Sequence, residues 1–352
     1  MTTEAVRLRP YRREDASRLV EIGDRNFPER WGSLESFLYH DDRWDEGRYF
    51  RFRLMAETAE GTVAGWGEVM QVPWQFYPGS YALELAVDPA YQRRGIGSAL
   101  YEGLIGELAG RGARLVRAVA RESKPESLAF LEHRGFREVQ RYWESRLDVD
   151  GVDLARFAGA EERATGQGIE LTTLAEERAG RPEADLLREV YELEAACLRD
   201  VPAPDLVTPG TYADFVRHEI EAPGVLPEAW FLARTSDRTS DRATEPGGSG
   251  RYVGLSVLSR RLSEPGVLDQ QLTGVLADYR GRGIAMALKL RGLRYAREHG
   301  YREIRTGNNT RNLPMLRINE ALGFVKQPVE IELEKRLEAE GLAAGSAADG
   351  SV

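Results

Sequence analysis

The chain repeats itself. Tyr91-Gln92-Arg93-Arg94-Gly95-Ile96-Gly97-Ser98-Ala99-Leu100 returns 188 residues later as Tyr279-Arg280-Gly281-Arg282-Gly283-Ile284-Ala285-Met286-Ala287-Leu288. The same offset pairs Gly112 with Gly300, Arg114 with Arg302, Arg117 with Arg305, and Gly135-Phe136 with Gly323-Phe324. A solenoid needs at least about three short repeats. Two long copies in one ungapped register therefore indicate a duplicated domain. The length of 352 residues suits that reading, at roughly 150 residues per domain.

Composition places the boundaries. Residues 149–168 (VDGVDLARFAGAEERATGQG) are rich in Gly, Ala and charge and lack strand alternation, so they read as a linker, with room for a short helix. The expected domains are 5–148 and 168–336, joined by 149–167, with a frayed tail over 337–352 that has nothing to pack. A second low-complexity stretch, 235–250 (TSDRTSDRATEPGGSG), lies between two apolar runs and reads as a long disordered hairpin loop inside the second copy.

Within each copy, periodicity predicts the same order of elements. In the first, short strands are expected at 6–9, 49–57, 63–71, 81–87, 115–120 and 141–149, with helices at 14–27, 98–109 and 125–133. The run YALELAV at 81–87 is largely apolar and reads as a central strand. In the second copy, strands are expected at 169–174, 229–234, 252–259, 271–276, 303–307 and 329–333, and helices at 184–198, 212–220, 284–298 and 313–322. Each half is α+β, with a mixed sheet.

Charge and cysteine content exclude several function classes. With 57 acidic against 48 basic residues the net charge is -9, a field that repels polyphosphate, so no nucleic-acid partner is expected. One cysteine, Cys197, forbids an internal disulfide or a Cys-based zinc cluster, and four scattered histidines argue against a metal site. No apolar run approaches the ~20 residues of a membrane span. The charged start MTTEAVRLRPYRREDA is unlike a signal peptide. A soluble, cytoplasmic protein is expected.

The glycine motif carries the chemistry. A strand ends at Val87-Asp88-Pro89 and a helix begins near Ile96. Amides at a helix N-terminus have no intrahelical partner, and the helix dipole favours an anion there. Glycine removes the Cβ that would keep a phosphate away. Neither copy has the lysine of a P-loop or the third glycine of a dinucleotide fingerprint. The pattern [QR]-x-x-G-x-[GA], met as Gln92-Arg93-Arg94-Gly95-Ile96-Gly97 and as Arg280-Gly281-Arg282-Gly283-Ile284-Ala285, instead resembles the acetyl-CoA loop of the GCN5-related N-acetyltransferases (GNAT). The preceding Leu85-Ala86-Val87-Asp88-Pro89 and the later Arg134-Gly135-Phe136 and Leu322-Gly323-Phe324 are similar to that family's flanking motifs. The second copy keeps only the valine of the strand motif, in Thr273-Gly274-Val275-Leu276-Ala277.

The resemblance implies two tandem GNAT-like domains, each a mixed, mostly antiparallel sheet flanked by helices. It implies direct transfer of an acetyl group from acetyl-CoA to an amine. The pantetheine would pair with Leu85, Ala86 and Val87, and with Thr273 to Val275 in the second copy. The pyrophosphate would lie on the amides from Arg93 to Ser98 and from Gly281 to Met286. An alkyl amine of pKa ~10.4 is protonated at neutral pH, so a base, a donor to the thioester oxygen and an acid for the thiolate are needed.

The sequence departs from the family pattern at the thiol end. The tyrosine that many members place four residues before the glycine of the G-F pair is Leu131 in one copy and Asn319 in the other. Seven residues earlier, where members carry a CoA-contacting asparagine, stand Lys124 and Asn312. On this count the C-terminal copy is expected to do the chemistry, with Asn319 donating to the sulfur and Thr273 to the acetyl oxygen. The polar cluster Thr306, Asn308, Asn309 reads equally well as helix capping and loop solvation. Burial raises a carboxyl pKa towards the range of a general base, and Glu84 in YALELAV is the base candidate on the N-terminal side. The loop 72–78, next to Trp66, reads as an acceptor wall or as a lid over the core. A small-molecule amine is the favoured acceptor. The alternative is a CoA-binding sensor or scaffold in which one or both halves are inactive.

Overall fold

A computed structural model describes residues 6–27, 33–203, 208–236 and 250–337. The first copy runs β1 (Arg7–Pro10), α1 (Ala16–Asn26), α2 (Leu34–Asp42), β2 (Arg51–Glu57), β3 (Val63–Met70), β4 (Ser80–Val87), α3 (Ile96–Glu107), β5 (Leu115–Arg121), α4 (Pro125–Glu132) and β6 (Arg137–Asp148). A short α5 (Ala160–Thr165) lies in the connecting segment. The second copy runs β7 (Ile169–Thr173), α6 (Leu174–Arg178), α7 (Glu183–Arg199), α8 (Tyr212–Phe215), β8 (Val225–Thr235), β9 (Tyr252–Arg260), β10 (Val267–Val275), α9 (Ile284–Glu298), β11 (Glu303–Asn309), α10 (Leu313–Leu322), β12 (Val325–Lys326) and β13 (Glu330–Arg336).

Helices α9 and α10 begin and end where their apolar periodicity predicts. Helix α2 was not anticipated: LESFLYHDD has little apolar periodicity, and its start is set by the Ser33 hydroxyl accepting from the amide of Ser36. The helix expected over 212–220 is a single α turn followed by a π turn, Val216–Ile220. Strands β6 and β10 each begin four residues before their expected start. The strands that flank the 235–250 stretch pair antiparallel. Its residues 237–249, and the tail from 338, lie outside the described residues.

Among the described residues the strands form one thirteen-stranded sheet, ordered β1-β2-β3-β4-β5-β13-β6-β11-β10-β9-β8-β7, with β12 also on β6. Two neighbouring pairs are parallel, β4 with β5 and β10 with β11; the others are antiparallel. The order shows an exchange. The last strand of the second copy, β13, lies against β5 of the first, with Leu333 opposite Ala118. The last strand of the first copy, β6, lies against β11 of the second, with Leu147 opposite Ile304.

The cores follow the exchange. Val329, Ile331 and Leu333 pack with Leu54, Leu104 and Val116 of the first copy. Leu147 and Val149 pack with Leu268, Leu288 and Ile304 of the second. Neither sheet closes on its own last strand, so the two copies share one hydrogen-bonded ladder.

The parallel pairs shape the site. Strand β4 pairs with β5 only over Ser80–Leu115, Tyr81–Val116 and Ala82–Arg117. Beyond those positions the strands diverge, and residues 83–87 present a backbone edge towards the gap. Strands β10 and β11 pair from Val267–Glu303 to Gln270–Thr306 and then part in the same way. A one-residue bulge shifts β10 against β9 between Gln270 and Thr273; β4 against β3 has none.

Candidate active site

The gap between β4 and β5 opens into a cavity of about 1020 Å³. Its walls include the diverging edge Leu83 to Val87, the glycine loop (Gln92, Arg93, Gly95, Ile96, Gly97, Ser98), α4 residues Phe130 and Leu131, and the β5 positions Arg117 to Ala120. Arg25, Lys124 and Arg134 stand around the same space. Ten of the eleven N-terminal residues expected at the site thus face one cavity. Arg94 does not; its guanidinium bonds the carbonyl of Ala90 and lies over Tyr91.

The loop has the geometry of an anion cradle. Gly95 holds φ +86° and is the N-cap of α3. Arg93 is also left-handed, at φ +64°, among the described residues the one non-glycine residue with positive φ. That conformation costs an L-residue about 1–2 kcal/mol. Gly281, at the matching position of the second copy, takes φ +75°. Alternating left-handed residues turn successive amides inwards, and the first amides of α3 point the same way. The loop is anchored by Asp88, which is buried and accepts from the amide of Ala90 and from Arg18 and Arg25. Burial opposes its ionisation, but the Ala90 amide and the Arg18 guanidinium outweigh burial and hold its carboxyl below the usual range. Gln92 Nε2 bonds the Val87 carbonyl at 3.1 Å and Asn26 Oδ1 at 3.0 Å, tying loop, strand end and α1 together.

Glu84 lines the cavity half-buried, directly opposite Glu68 on β3. Glu68 is buried and paired with Arg53, which also reaches Asp41 of α2. The unexpected helix α2 therefore braces the strand beside the base candidate. Trp66, Val72, Trp74 and Gln75 also line the cavity, so part of the 72–78 loop is a wall. Leu131 is both a core residue and a cavity wall.

Among the lining residues that the sequence did not point to are Tyr142, Glu330 and Glu332. Tyr142 is on β6, and the two glutamates are on β13. The Tyr142 hydroxyl donates to Glu332 Oε2 at 3.1 Å. Burial and the Glu332 carboxylate push its phenol well above the usual range, so it keeps its proton. No local pattern marks these residues, because only the strand exchange brings them here.

The C-terminal copy is built differently at the corresponding place. Position 84 plus the repeat offset is Leu272, an apolar residue inside the β10 bulge that packs against the core cluster containing Cys197. Cys197 of α7 packs directly on Gly274: a Cβ there would lie 2.5 Å from that of Cys197. Burial pushes the Cys197 thiol up to about 12, leaving it an inert packing group. Asn309 Nδ2 donates to the Pro202 carbonyl at 2.9 Å, which ties the loop after α7 across the end of β11. Arg280 bonds the Val275 carbonyl and pairs with Asp200. Gly281, Arg282 and Gly283 are exposed, whereas Ile284 and Val275 are core residues and Ala285 packs against them.

The expected donors of this copy are engaged in structure. Asn319 is buried at 1% exposure, and its amide donates to Asn308 Oδ1 at 2.6 Å. Asn312 caps α10, accepting from the amide of Met315. Thr273 is 3.0 Å from the Ser256 hydroxyl. None of Thr273, Asn312 and Asn319 lines the large cavity, which belongs to the N-terminal copy rather than to the copy expected from the asparagines.

Comparison with known proteins fits this geometry. Residues 16–136 match the model of the acetyltransferase (GNAT) family. Over 94% of this chain and 98% of its own, the fold is shared with a tandem GNAT protein from the clavulanic acid biosynthesis pathway (TM-score 0.68, 18% identity). Residues 16–136 belong to the GNAT acetyltransferase family, and the whole chain has the tandem GNAT fold. A GCN5-related N-acetyltransferase from Sphaerobacter thermophilus has the same fold over 96% of this chain and 97% of its own (TM-score 0.64, 19% identity). In sequence, the chain is 28% identical over 251 residues to a mycothiol acetyltransferase of Thermobifida fusca, covering 68% of this chain and 70% of the relative. It is 36% identical over 92 residues to the ribosomal protein bS18 alanine N-acetyltransferase of Escherichia coli, covering 26% of this chain and 57% of that one. The chain is an N-acetyltransferase. Among its described residues no helix is long and apolar enough to cross a membrane.

Proposed function

We propose that the N-terminal copy binds acetyl-CoA in the β4–β5 cavity and acetylates the amine of a small molecule there. The observation that carries this reading is the cavity itself, open at one end to the left-handed loop of Arg93 and Gly95 and walled further along by Glu84. Its volume of about 1020 Å³ suits a ligand of cofactor size. The exposed amides and the cationic Arg25, Arg93, Lys124 and Arg134 fit a pyrophosphate, and the unpaired edge of β4 fits an amide-bearing arm. The likeness to mycothiol acetyltransferases supports a small-molecule acceptor.

In the reaction, the neutral amine nitrogen attacks the thioester carbon. A C–N bond forms, the C–S bond breaks, the proton from nitrogen passes to Glu84, and the thiolate takes a proton from water. With Leu131 in place of the family's tyrosine, water is the acid; a thiol of pKa ~8.5 leaves readily in that way. The C-terminal copy serves as a non-catalytic module, a reading favoured by the β10 bulge, which leaves Gln271 and Leu272, neither of them an acid, where the first copy has Glu84.

Titration calorimetry with acetyl-CoA tests the assignment. Gly95→Trp places an indole where the pyrophosphate lies and is expected to abolish binding in the cavity, while Gly283→Trp leaves that binding intact. Unchanged stoichiometry and affinity in Gly95→Trp overturn the reading.

A further inference from the structure

The acidic side chains of the cavity floor come from two different places in the chain. Ala82 pairs with Arg117, and Val119, two residues on, pairs with Glu332. Side chains alternate along a strand, so Glu84, Arg117 and Glu332 lie on one face of the sheet. Glu84 is native to the N-terminal copy, whereas Glu332 and Glu330 arrive on β13 through the strand exchange. Glu332 is buried, 3.6 Å from Arg117 and held by the Tyr142 hydroxyl. Glu334 lies 3.5 Å from Arg117, and Glu330 3.3 Å from Arg121.

Charge is therefore segregated along the cavity. The loop end carries Arg25, Arg93, Lys124 and Arg134, with Glu126 among them. The floor sets Glu84, Glu330 and Glu332 against Arg117, while Glu334 and Arg121, which do not line the cavity, pair with Arg117 and Glu330. A cationic end suits the phosphates. Carboxylates in excess at the other end, in a partly desolvated cleft, favour a cation and repel a carboxylate. Trp74, 61% exposed on the wall, offers its face to an alkyl chain or an ammonium.

We propose that Glu332, carried across by the strand exchange, is an acceptor-binding residue of the N-terminal cavity, and that the acceptor it selects is a diamine. One nitrogen, neutral, is acetylated beside Glu84. The other, protonated, rests against Glu332 and Glu330. The C-terminal copy thereby completes the specificity of the N-terminal one. Tyr142 is a positioning residue that orients the Glu332 carboxylate. This inference rests on the acetyl-transfer reading above.

The test uses the full chain with acetyl-CoA and three matched acceptors: 1,4-diaminobutane, n-butylamine and 4-aminobutyrate. The expected order of kcat/KM is diamine over monoamine by about tenfold to a hundredfold, the range of one charged hydrogen bond, with the amino acid last. In Glu332→Gln the diamine-to-monoamine ratio falls to near one, through KM for the diamine. A ratio within one preparation does not depend on how much of the variant folds. Tyr142→Phe keeps the charge and retains a reduced preference. A wild-type ratio near one, or a ratio unchanged in Glu332→Gln, overturns the inference. Acetyl transfer to none of the amines, with acetyl-CoA bound, overturns the transfer reading and this inference with it.

Discussion

Leu333→Ala tests the strand exchange most directly. Leu333 is 1% exposed on β13, a strand of the second copy, yet its neighbours in the core belong to the first. Truncating a fully buried leucine removes its transfer energy and leaves a cavity that the packing only partly closes, at a cost of about 2–5 kcal/mol. Because β13 is hydrogen-bonded on both sides, to β5 and β6, the backbone has little freedom to collapse into the hole. A value near 3 kcal/mol is therefore reasonable, which is about a hundredfold in an opening equilibrium. Hydrogen exchange read by mass spectrometry locates the loss. Amides of β3, β4 and α3 are expected to exchange about a hundredfold faster, while α9, β9 and β10 change much less. The reciprocal Leu147→Ala, at a site 2% exposed in the second copy's core, loosens α9 and β10 first. If Leu333→Ala instead loosens the second copy and leaves β3, β4 and α3 at wild-type protection, the exchanged topology is refuted.

Three further outcomes are expected. Glu84→Gln lowers kcat by about a hundredfold or more, the usual range for a general base, with acetyl-CoA affinity unchanged by calorimetry; a fully active Glu84→Gln beside a collapsed Asn319→Leu would move the chemistry to the C-terminal half. Burial pushes the Glu219 carboxyl up to about 7 and the nearby Glu194 carboxyl well above its usual range, so the native state keeps a proton that the unfolded chain releases near pH 4.5: stability is highest below that, falls as pH rises and levels off above 7, and urea midpoints at pH 5 and 8 should converge in Glu219→Gln relative to wild type. Lys289 is buried with its amine bonded to Gln270, and burial lowers its pKa to about 7. Lys289→Met is expected to raise Tm at pH 7, since the amine's burial cost goes while Gln270 keeps its bond to the Val257 carbonyl; a lower Tm would count against that account.

Local chemistry wrote much of this protein into its sequence. The ungapped offset of 188 announced two copies, and α9 and α10 sit where their own periodicity ends. The loop of Gln92 to Gly97 was legible because a left-handed glycine at a helix start and the amides beside it are properties of a few adjacent residues. Glu84 could be singled out because one acid interrupts an apolar strand. Helix α2 was not legible, since a Ser33 cap and the pairing of Asp41 with Arg51 and Arg53 hold it rather than an apolar stripe. The asparagines of the C-terminal copy show a related limit: Asn312 and Asn319 match a pattern by type, but a motif does not say what a side chain bonds, and here one caps a helix and the other sits in a buried amide pair. Tyr142, Glu330 and Glu332 could not be found at all. Alternation tells which face of a strand a residue takes, but not which strand lies next to it. That choice was made by cores more than 200 residues apart in the chain, where Leu333 fits against Leu54 and Val116, and only the folded sheet records it.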